Sequence, residues 1–223
     1  MIYNIAIDGP AGAGKSTIAK RVAKELSCVY VDTGAMYRAM ALYLLRREVN
    51  RENPEEIGNI CQEAEISIEY KNGEQLVLLN GENVNSYLRT EEVGNMASVS
   101  SANPKVREKL LDLQRKLAAS MSVVMDGRDI GTTILPGADV KIYLTASSLT
   151  RAKRRYLELQ EKGESCDLEK IREDIEERDR RDMNREISPL RQAQDAVLVD
   201  SSDMTIDEVV KRILQIFREK MIK

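Results

Sequence analysis

IYNIAIDGPAGAGKST, residues Ile2 to Thr17, is the stretch whose reading decides the fold. Ile2 to Asp8 is a short apolar run bounded by Gly9-Pro10, as expected of a buried strand. Ile18, Val22 and Leu26 then recur at helical spacing, so the order is strand, glycine loop, helix. Between the two elements Gly9, Pro10, Ala11, Gly12, Ala13, Gly14, Lys15 and Ser16 match GxxxxGK[ST], the pattern of a loop that cradles phosphates. Each residue type has a separate reason to be there. Glycines permit the tight backbone path, NH groups of the loop and helix start point at phosphate oxygens, and Lys15 adds a mobile positive charge. The hydroxyl of Ser16 is placed to meet Mg²⁺. The stretch predicts the opening of a nucleotide-binding α/β domain.

Outward from the loop the alternation continues. Cys28 to Val31 predicts a second short strand ending at Asp32, followed by a helix carrying Met36, Met40, Tyr43 and Leu44. Val123 to Met125, Val140 to Leu144 and Ala196 to Val199 are three more short apolar runs with helical patterns between them, which favours parallel pairing with crossover helices. From about Glu65 to Val84 the pattern changes. ISIEY, then Lys71-Asn72-Gly73-Glu74, then QLVLLNGENV predicts two antiparallel runs joined by an Asn-Gly turn, with another turn at Asn80-Gly81. A later helix starts at an Asn103 cap with Pro104 in its first turn and Val106, Leu110, Leu113 and Leu117 on one face. Ile206, Val209, Val210, Ile213 and Phe217 predict an amphipathic closing helix.

The bulk composition limits the partners. A chain of 223 residues with 42% hydrophobic and 32% charged residues is long enough for a substantial core, and its net charge of −3 offers no basic footprint for a polynucleotide. The first residues lack the charged n-region of a signal peptide, and no apolar run approaches the roughly 20 residues that cross a bilayer, so a cytoplasmic protein off the membrane is expected. The three cysteines, Cys28, Cys61 and Cys166, are odd in number and widely spaced, which favours buried thiols over a disulfide framework. With no histidine, a serine-histidine triad and a histidine-ligated zinc are excluded.

A phosphate loop identifies a donor nucleotide and leaves hydrolase, kinase and passive sensor open. In VVMDGRDIGT, Val123 to Thr132, Asp126 ends an apolar strand and resembles the acid that holds a nucleotide's cation, with a plain Asp-Gly turn as the alternative. Two opposite charges, Arg128 and Asp129, follow it. After the second strand, Thr33, Tyr37 and Arg38 place a hydroxyl, a ring and a guanidinium at a helix start; an arginine there suits a second phosphate or is a solvated helix charge. Asp167 is a candidate helix cap, and Leu168, Ile171, Ile175, Arg178, Asp182 and Arg185 step by three or four residues, so one helix stripe changes from apolar to charged. It faces a polar ligand or forms solvated ion pairs. Ser147 caps a segment with Arg151, Lys153, Arg154 and Arg155, which is a mobile lid over a donor's phosphates or an ordinary basic face.

Together, IDGPAGAGKST, VDTGAMYRA, RTEEVGNMAS, DGRDIGT, RAKRRYLELQEKG and ERDRRDMNR closely resemble the bacterial cytidylate kinase family, within the nucleoside monophosphate kinases, over essentially the whole chain. The resemblance implies an α/β fold with a five-stranded parallel sheet flanked by helices, a small antiparallel β insert that binds the monophosphate, and a helical lid. It implies one kinase domain over 1–223, with core 1–62, 99–146 and 167–223, insert about 63–98, and lid about 147–166. By similarity Ser98, Arg107 and Asp129 contact the cytosine edge, and Arg38, Arg128 and Arg185 hold the acceptor phosphate, with Thr33 standing where the family often has Ser. Arg178 and Asp182 resemble contacts to the sugar. The same resemblance extends the donor set to Thr17 and to the lid arginines Arg151 and Arg155, and implies Lys15, Arg128, Arg151 and Arg185 as the catalytic cations.

The implied reaction is reversible transfer of the ATP γ-phosphoryl group to CMP or dCMP with Mg²⁺ bound through Ser16 and Asp126, by a monomer. Alignment and charge neutralisation carry such a reaction, and a phosphate acceptor needs no strong base, so the lack of histidine is no obstacle. Alternative readings are a phosphate-loop kinase acting on UMP, AMP or shikimate, and a nucleotide-dependent binding module.

Overall fold

The structure, a computed structural model, describes residues 2–71 and 73–222. In chain order the elements are β1 (Asn4–Asp8), α1 (Lys15–Glu25), β2 (Val29–Asp32), α2 (Thr33–Arg46), α3 (Pro54–Ile60), β3 (Ile66–Lys71), β4 (Glu74–Leu79) and β5 (Glu82–Asn83). Then come α4 (Glu91–Ser100), α5 (Pro104–Ser120), β6 (Val123–Gly127), β7 (Val140–Thr145), α6 (Ser148–Glu161), α7 (Leu168–Asn184), β8 (Val197–Asp200) and α8 (Ile206–Met221). One sheet has five strands in the order β2-β6-β1-β7-β8, and a second has three in the order β3-β4-β5.

The chain divides into two compact units, one formed mainly by residues 3–28 and 123–223, the other by 29–122. In the first, β1 pairs in parallel with β6 on one side and β7 on the other, and β7 pairs with β8. The central strands β1, β6 and β7 are buried on both faces, and Ile5, Ile7, Met125, Ile142 and Leu144 are fully enclosed. Helix α1 packs on β6, and α8 packs on α1 and β7. Each fully buried aliphatic side chain of this kind stabilises the fold by roughly 1.5–3 kcal/mol. Helix α8 is fixed by a capping box between Thr205 and Glu208. Its buried positions are Val209, Val210, Ile213 and Ile216. Ile206, expected on that face, sits in the first turn and is exposed, and Phe217 is half-buried with its ring 5.0 Å from that of Tyr3.

The second unit holds the antiparallel pair β3 and β4, registered Ile66 to Leu79 and Ile68 to Val77. At the next turn Asn80 and Gly81 have φ 50° and 83°, the two successive positive values of a tight hairpin connection. Asn72, half of the other expected Asn-Gly turn, lies outside the described residues. Asn103 caps α5 by accepting from Lys105 N. The buried row of α5 runs Val106, Leu110, Gln114, Ala118 at four-residue steps, so Leu113 and Leu117 are displaced to half-buried flanks. Gln114 is almost fully enclosed, and neither its amide oxygen nor its nitrogen has a hydrogen-bond partner.

Cys61 is buried, Cys28 and Cys166 are half-buried, and all three are free thiols. Among the described residues no helix is long and apolar enough to cross a membrane.

Candidate active site

The phosphate loop leaves β1 at Gly9, whose φ is 152° and where a Cβ would collide with the backbone carbonyl of Leu144; only glycine fits. It ends at Gly14, in the left-handed conformation at φ 84°, as N-cap of α1. Gly14 supplies no capping side chain. Among the described residues every other α-helix has one: Asp32, Asn53, Thr90, Asn103, Ser147, Asp167 or Thr205. The first NH groups of α1 are thus left to an external acceptor, and together with the helix dipole they suit phosphate.

Lys15 is buried, and its ammonium donates to the Pro10 carbonyl at 2.7 Å. Burial, and then the positive charge of Arg128, push its pKa well below the usual lysine value against the opposing pull of Asp126, Asp8 and Asp182. The negative charge of an arriving polyphosphate would push it back up. Ser16 Oγ donates to Asp126 Oδ2 at 3.0 Å, and Asp126 is buried at the end of β6. A hydroxyl and a carboxylate side by side are hard oxygen donors of the kind Mg²⁺ takes alongside substrate phosphates and water. Among the described residues no cluster of three or more His, Cys, Asp or Glu side chains offers an all-protein metal cage.

After β6 the chain presents Arg128 and Asp129 and then a wide turn, Ile130–Ile134, whose Leu135 N–H bonds five residues back to the Ile130 carbonyl at 2.6 Å. Arg128 Nε donates to Asp182 Oδ2 at 2.9 Å. Burial works against the charge of Asp182, but Arg128, Arg178 and Arg185 outweigh it and hold its carboxyl below the usual range. Arg185 Nη2 stands 3.7 Å from Asp129 Oδ1, with both side chains less than a tenth exposed. Its Nε donates to the Ser188 carbonyl at 2.6 Å. The stripe of α7 therefore faces inward: Leu168, Ile171, Ile175 and Arg178 are half-buried and Asp182 is buried.

Two arginines of α6 have different surroundings. Arg151 is buried and donates three ways, from Nε to the Ala146 carbonyl at 3.0 Å, from Nη1 to the Ala11 carbonyl at 2.9 Å, and from Nη2 to Asp179 Oδ2 at 2.6 Å. Arg155 is exposed and pairs with Glu158 at 3.0 Å.

In the second unit, the Asp32 side chain accepts from Ala35 N at 2.9 Å and so starts α2, whose first turns carry buried Thr33 and half-buried Tyr37 and Arg38. Gly34 leaves room beside an Arg38 guanidinium nitrogen, which would stand 3.5 Å from a Cβ there. Arg107 on α5 is buried, donates to the Ser101 carbonyl at 3.2 Å and lies 5.6 Å from the centre of the Tyr37 ring. Ser98 is half-buried on α4. Gln75 of β4 makes a reciprocal pair with the backbone of Asp32, accepting from its N–H at 2.8 Å and donating to its carbonyl at 3.2 Å.

Three residues that support the candidate residues lie outside the sequence expectations. Asp8 is buried at the end of β1, and its two carboxylate oxygens accept from Ile130 N and Gly131 N, each at 2.7 Å. Asp179 anchors Arg151, and Gln75 clips the start of α2. Asp8 has a sequence signal, an acid closing an apolar run; Asp179 and Gln75 have none beyond their place in charged or polar segments.

A family model described as Cytidylate kinase matches residues 5–219. A cytidylate kinase of Caldicellulosiruptor saccharolyticus is 49% identical over 214 residues, covering 96% of this chain and 95% of the relative. One from Lactobacillus johnsonii is 48% identical, covering 98% and 95%, and one from Bacillus cytotoxicus is 46% identical, covering 99% and 98%. Among solved structures, a gluconokinase of Sinorhizobium meliloti superposes with a TM-score of 0.51 at 13% identity, covering 97% of this chain and 92% of that one. A shikimate kinase of Bacteroides thetaiotaomicron gives 0.50 at 14% identity, covering 98% and 99%. At such low identity these two show a shared kinase fold and nothing about the substrate. The match along nearly the entire length shows that this chain belongs to the cytidylate kinase family.

Proposed function

We propose that the protein transfers the γ-phosphoryl group of ATP to CMP or dCMP, giving ADP and CDP or dCDP, as a cytoplasmic monomer. The observation that carries this reading is that Arg128 and Arg185 stand beside the buried carboxylates of Asp182 and Asp129, in the same compact unit as the phosphate loop. Buried cations and anions are costly unless paired, and oriented guanidiniums additional to Lys15 suit a second phosphate.

The donor's phosphates lie along Gly9 to Thr17, taking the uncapped NH groups of α1 and the ammonium of Lys15, which leaves the Pro10 carbonyl. Ser16 and Asp126 are the residues that would hold Mg²⁺, directly or through water, and the cation would supply charge neutralisation on the donor's phosphates. On the acceptor side, the family resemblance assigns Arg128, Arg185, Thr33, Tyr37 and Arg38 to the monophosphate. Asp129, with Ser98 and Arg107, reads the base, and Arg178 and Asp182 contact the sugar. Cytosine offers an exocyclic amino donor to the Asp129 carboxylate, whereas uracil presents a carbonyl that would leave the carboxylate poorly paired. Segment 63–98 is the monophosphate-binding insert, and 147–166 is the lid that brings Arg155 to the donor and excludes water, with Arg151 at its root beside the phosphate loop.

Release of ADP in a coupled assay, with CMP, dCMP, UMP, AMP and shikimate as acceptors, tests the proposal. CMP and dCMP are expected to give the highest kcat/KM. A higher value for AMP than for CMP rejects the specificity, and ADP release independent of any acceptor rejects the kinase reading in favour of a hydrolase or a nucleotide-driven binding module.

A further inference from the structure

We infer that Asp8 is a positioning residue for the acceptor side of the reaction, setting the place of Arg128 and Asp129 by holding the two backbone NH groups that follow them. The inference rests on the proposed roles of Arg128 and Asp129.

The carboxylate closes β1, one residue before the phosphate loop, and spans 122 positions of sequence to reach the turn after β6. Ile130 and Gly131 are the first residues of that turn, where NH groups have no partner within the turn itself. Each of the two Asp8 oxygens takes one of them at 2.7 Å, which makes Asp8 a cap donated from another strand. Neither an amide nor a hydroxyl reproduces this, because only a carboxylate offers two acceptor oxygens and no donor.

The space allows little alternative. A Cβ on Gly131 would stand 3.3 Å from Asp8 Oδ2 and 3.1 Å from Lys141 Cδ, so the turn approaches the carboxylate as closely as a glycine backbone permits. Asp129, immediately before the capped pair, is itself nearly fully buried and 3.7 Å from Arg185. A shift of the turn therefore moves the base-reading carboxylate, its arginine neighbour and the Arg128–Asp182 pair together. The charged groups acting on Asp8 are Lys15, which favours its ionised form, and Asp129, which opposes it. Burial pushes its pKa up to about 6, so it is ionised at pH 8.

The test combines D8N and D8E with amide NMR at pH 8. In the wild type the Ile130 and Gly131 amide protons should resonate downfield and be protected from exchange; free exchange of both would overturn the inference without any variant. D8N places an NH₂ against one of the two NH groups. It should lower kcat/KM for CMP roughly tenfold to a hundredfold, shrink the CMP-over-UMP preference, move both amide resonances, and lower the affinity for a non-hydrolysable ATP analogue by a much smaller factor. D8E, which keeps two acceptor oxygens on a longer arm, should recover part of the lost CMP turnover. Unaltered turnover and base discrimination in D8N, or an equal loss of ATP affinity, would overturn the positioning role. Absence of CMP-dependent ADP release in the wild type would instead defeat the proposed substrate, with the NMR result still reporting on the Asp8 contact.

Discussion

The phosphate loop and the proposed acceptor segment after β6 are built on opposite plans. The loop is local: eight consecutive residues, two glycine conformations and an uncapped helix start create it, and its cation bonds a carbonyl within the loop itself. The acceptor segment is assembled from a distance. Arg128 is oriented by α7, Asp129 lies against Arg185 just beyond that helix, and the turn behind both is capped from β1. A general phosphate grip needs only backbone NH groups and one charge, whereas discrimination between two similar bases needs a buried carboxylate at a defined place. Such a group is stable in the interior only with partners on several elements.

This contrast can be broken or sharpened by substitution. Lys15→Ala should remove about a thousandfold or more of the turnover with any acceptor, because it deletes the side-chain charge that the loop offers to phosphate in the proposed reaction. Steady-state kinetics with CMP and UMP would check it, and a loss confined to one acceptor would contradict the division. Arg128→Ala should weaken every monophosphate acceptor by about a hundredfold or more. A base-selective loss, read from the same acceptor panel, would move Arg128 from phosphate to base.

Next in size is a pH effect on stability. The folded-state pKa of Asp8, raised by burial to about 6, lies above its ordinary value of 3.8, so the fold binds this proton more tightly than the unfolded chain does. The contribution is fully present below the unfolded value and is lost as pH rises through about 6. Since each tenfold gain in proton affinity is equivalent to about 1.4 kcal/mol, the whole contribution is about 3 kcal/mol. The difference in unfolding free energy between wild type and D8N should move against the wild type across that window; an opposite slope in denaturant titrations would show that the paired NH groups outweigh burial.

Asp129→Ala should reduce the CMP-over-UMP preference by about tenfold to a hundredfold while ATP affinity stays constant, as competition assays with both acceptors would show. The smallest effect is expected in the second unit. Gln114→Met, which replaces a buried amide lacking partners with an apolar side chain of similar volume, should raise stability by about 1 kcal/mol without altering kcat. Thermal unfolding measures it.

The legible parts of the molecule are those in which neighbours in sequence are neighbours in space. Strand β1, the glycine loop and α1 follow from spacing alone, as do the antiparallel pair and the caps Asn103, Ser147 and Asp167. The change of the α7 stripe from apolar to charged is visible in the sequence, but periodicity cannot choose between an inward face and solvated ion pairs. That choice depends on what packs against the helix. Asp8 reads only as the end of an apolar run, since nothing in its surroundings in sequence identifies two NH groups more than a hundred residues away. Gln114 marks the same limit within a core: the expected row of leucines on α5 is a seam around a glutamine, because exact facing is set by the partner helices.

The family resemblance implies Arg151 as a lid contact to the donor, and its three bonds change what lid motion can be. A side chain bolted at once to the phosphate loop, to the residue after β7 and to α7 makes the root of α6 a fulcrum. Any swing of this segment has its pivot there, and its amplitude grows toward Glu161. Mobility along α6 should accordingly be graded, least at Arg151 and greatest near the helix end, with the exposed Arg155 one turn out along the lever.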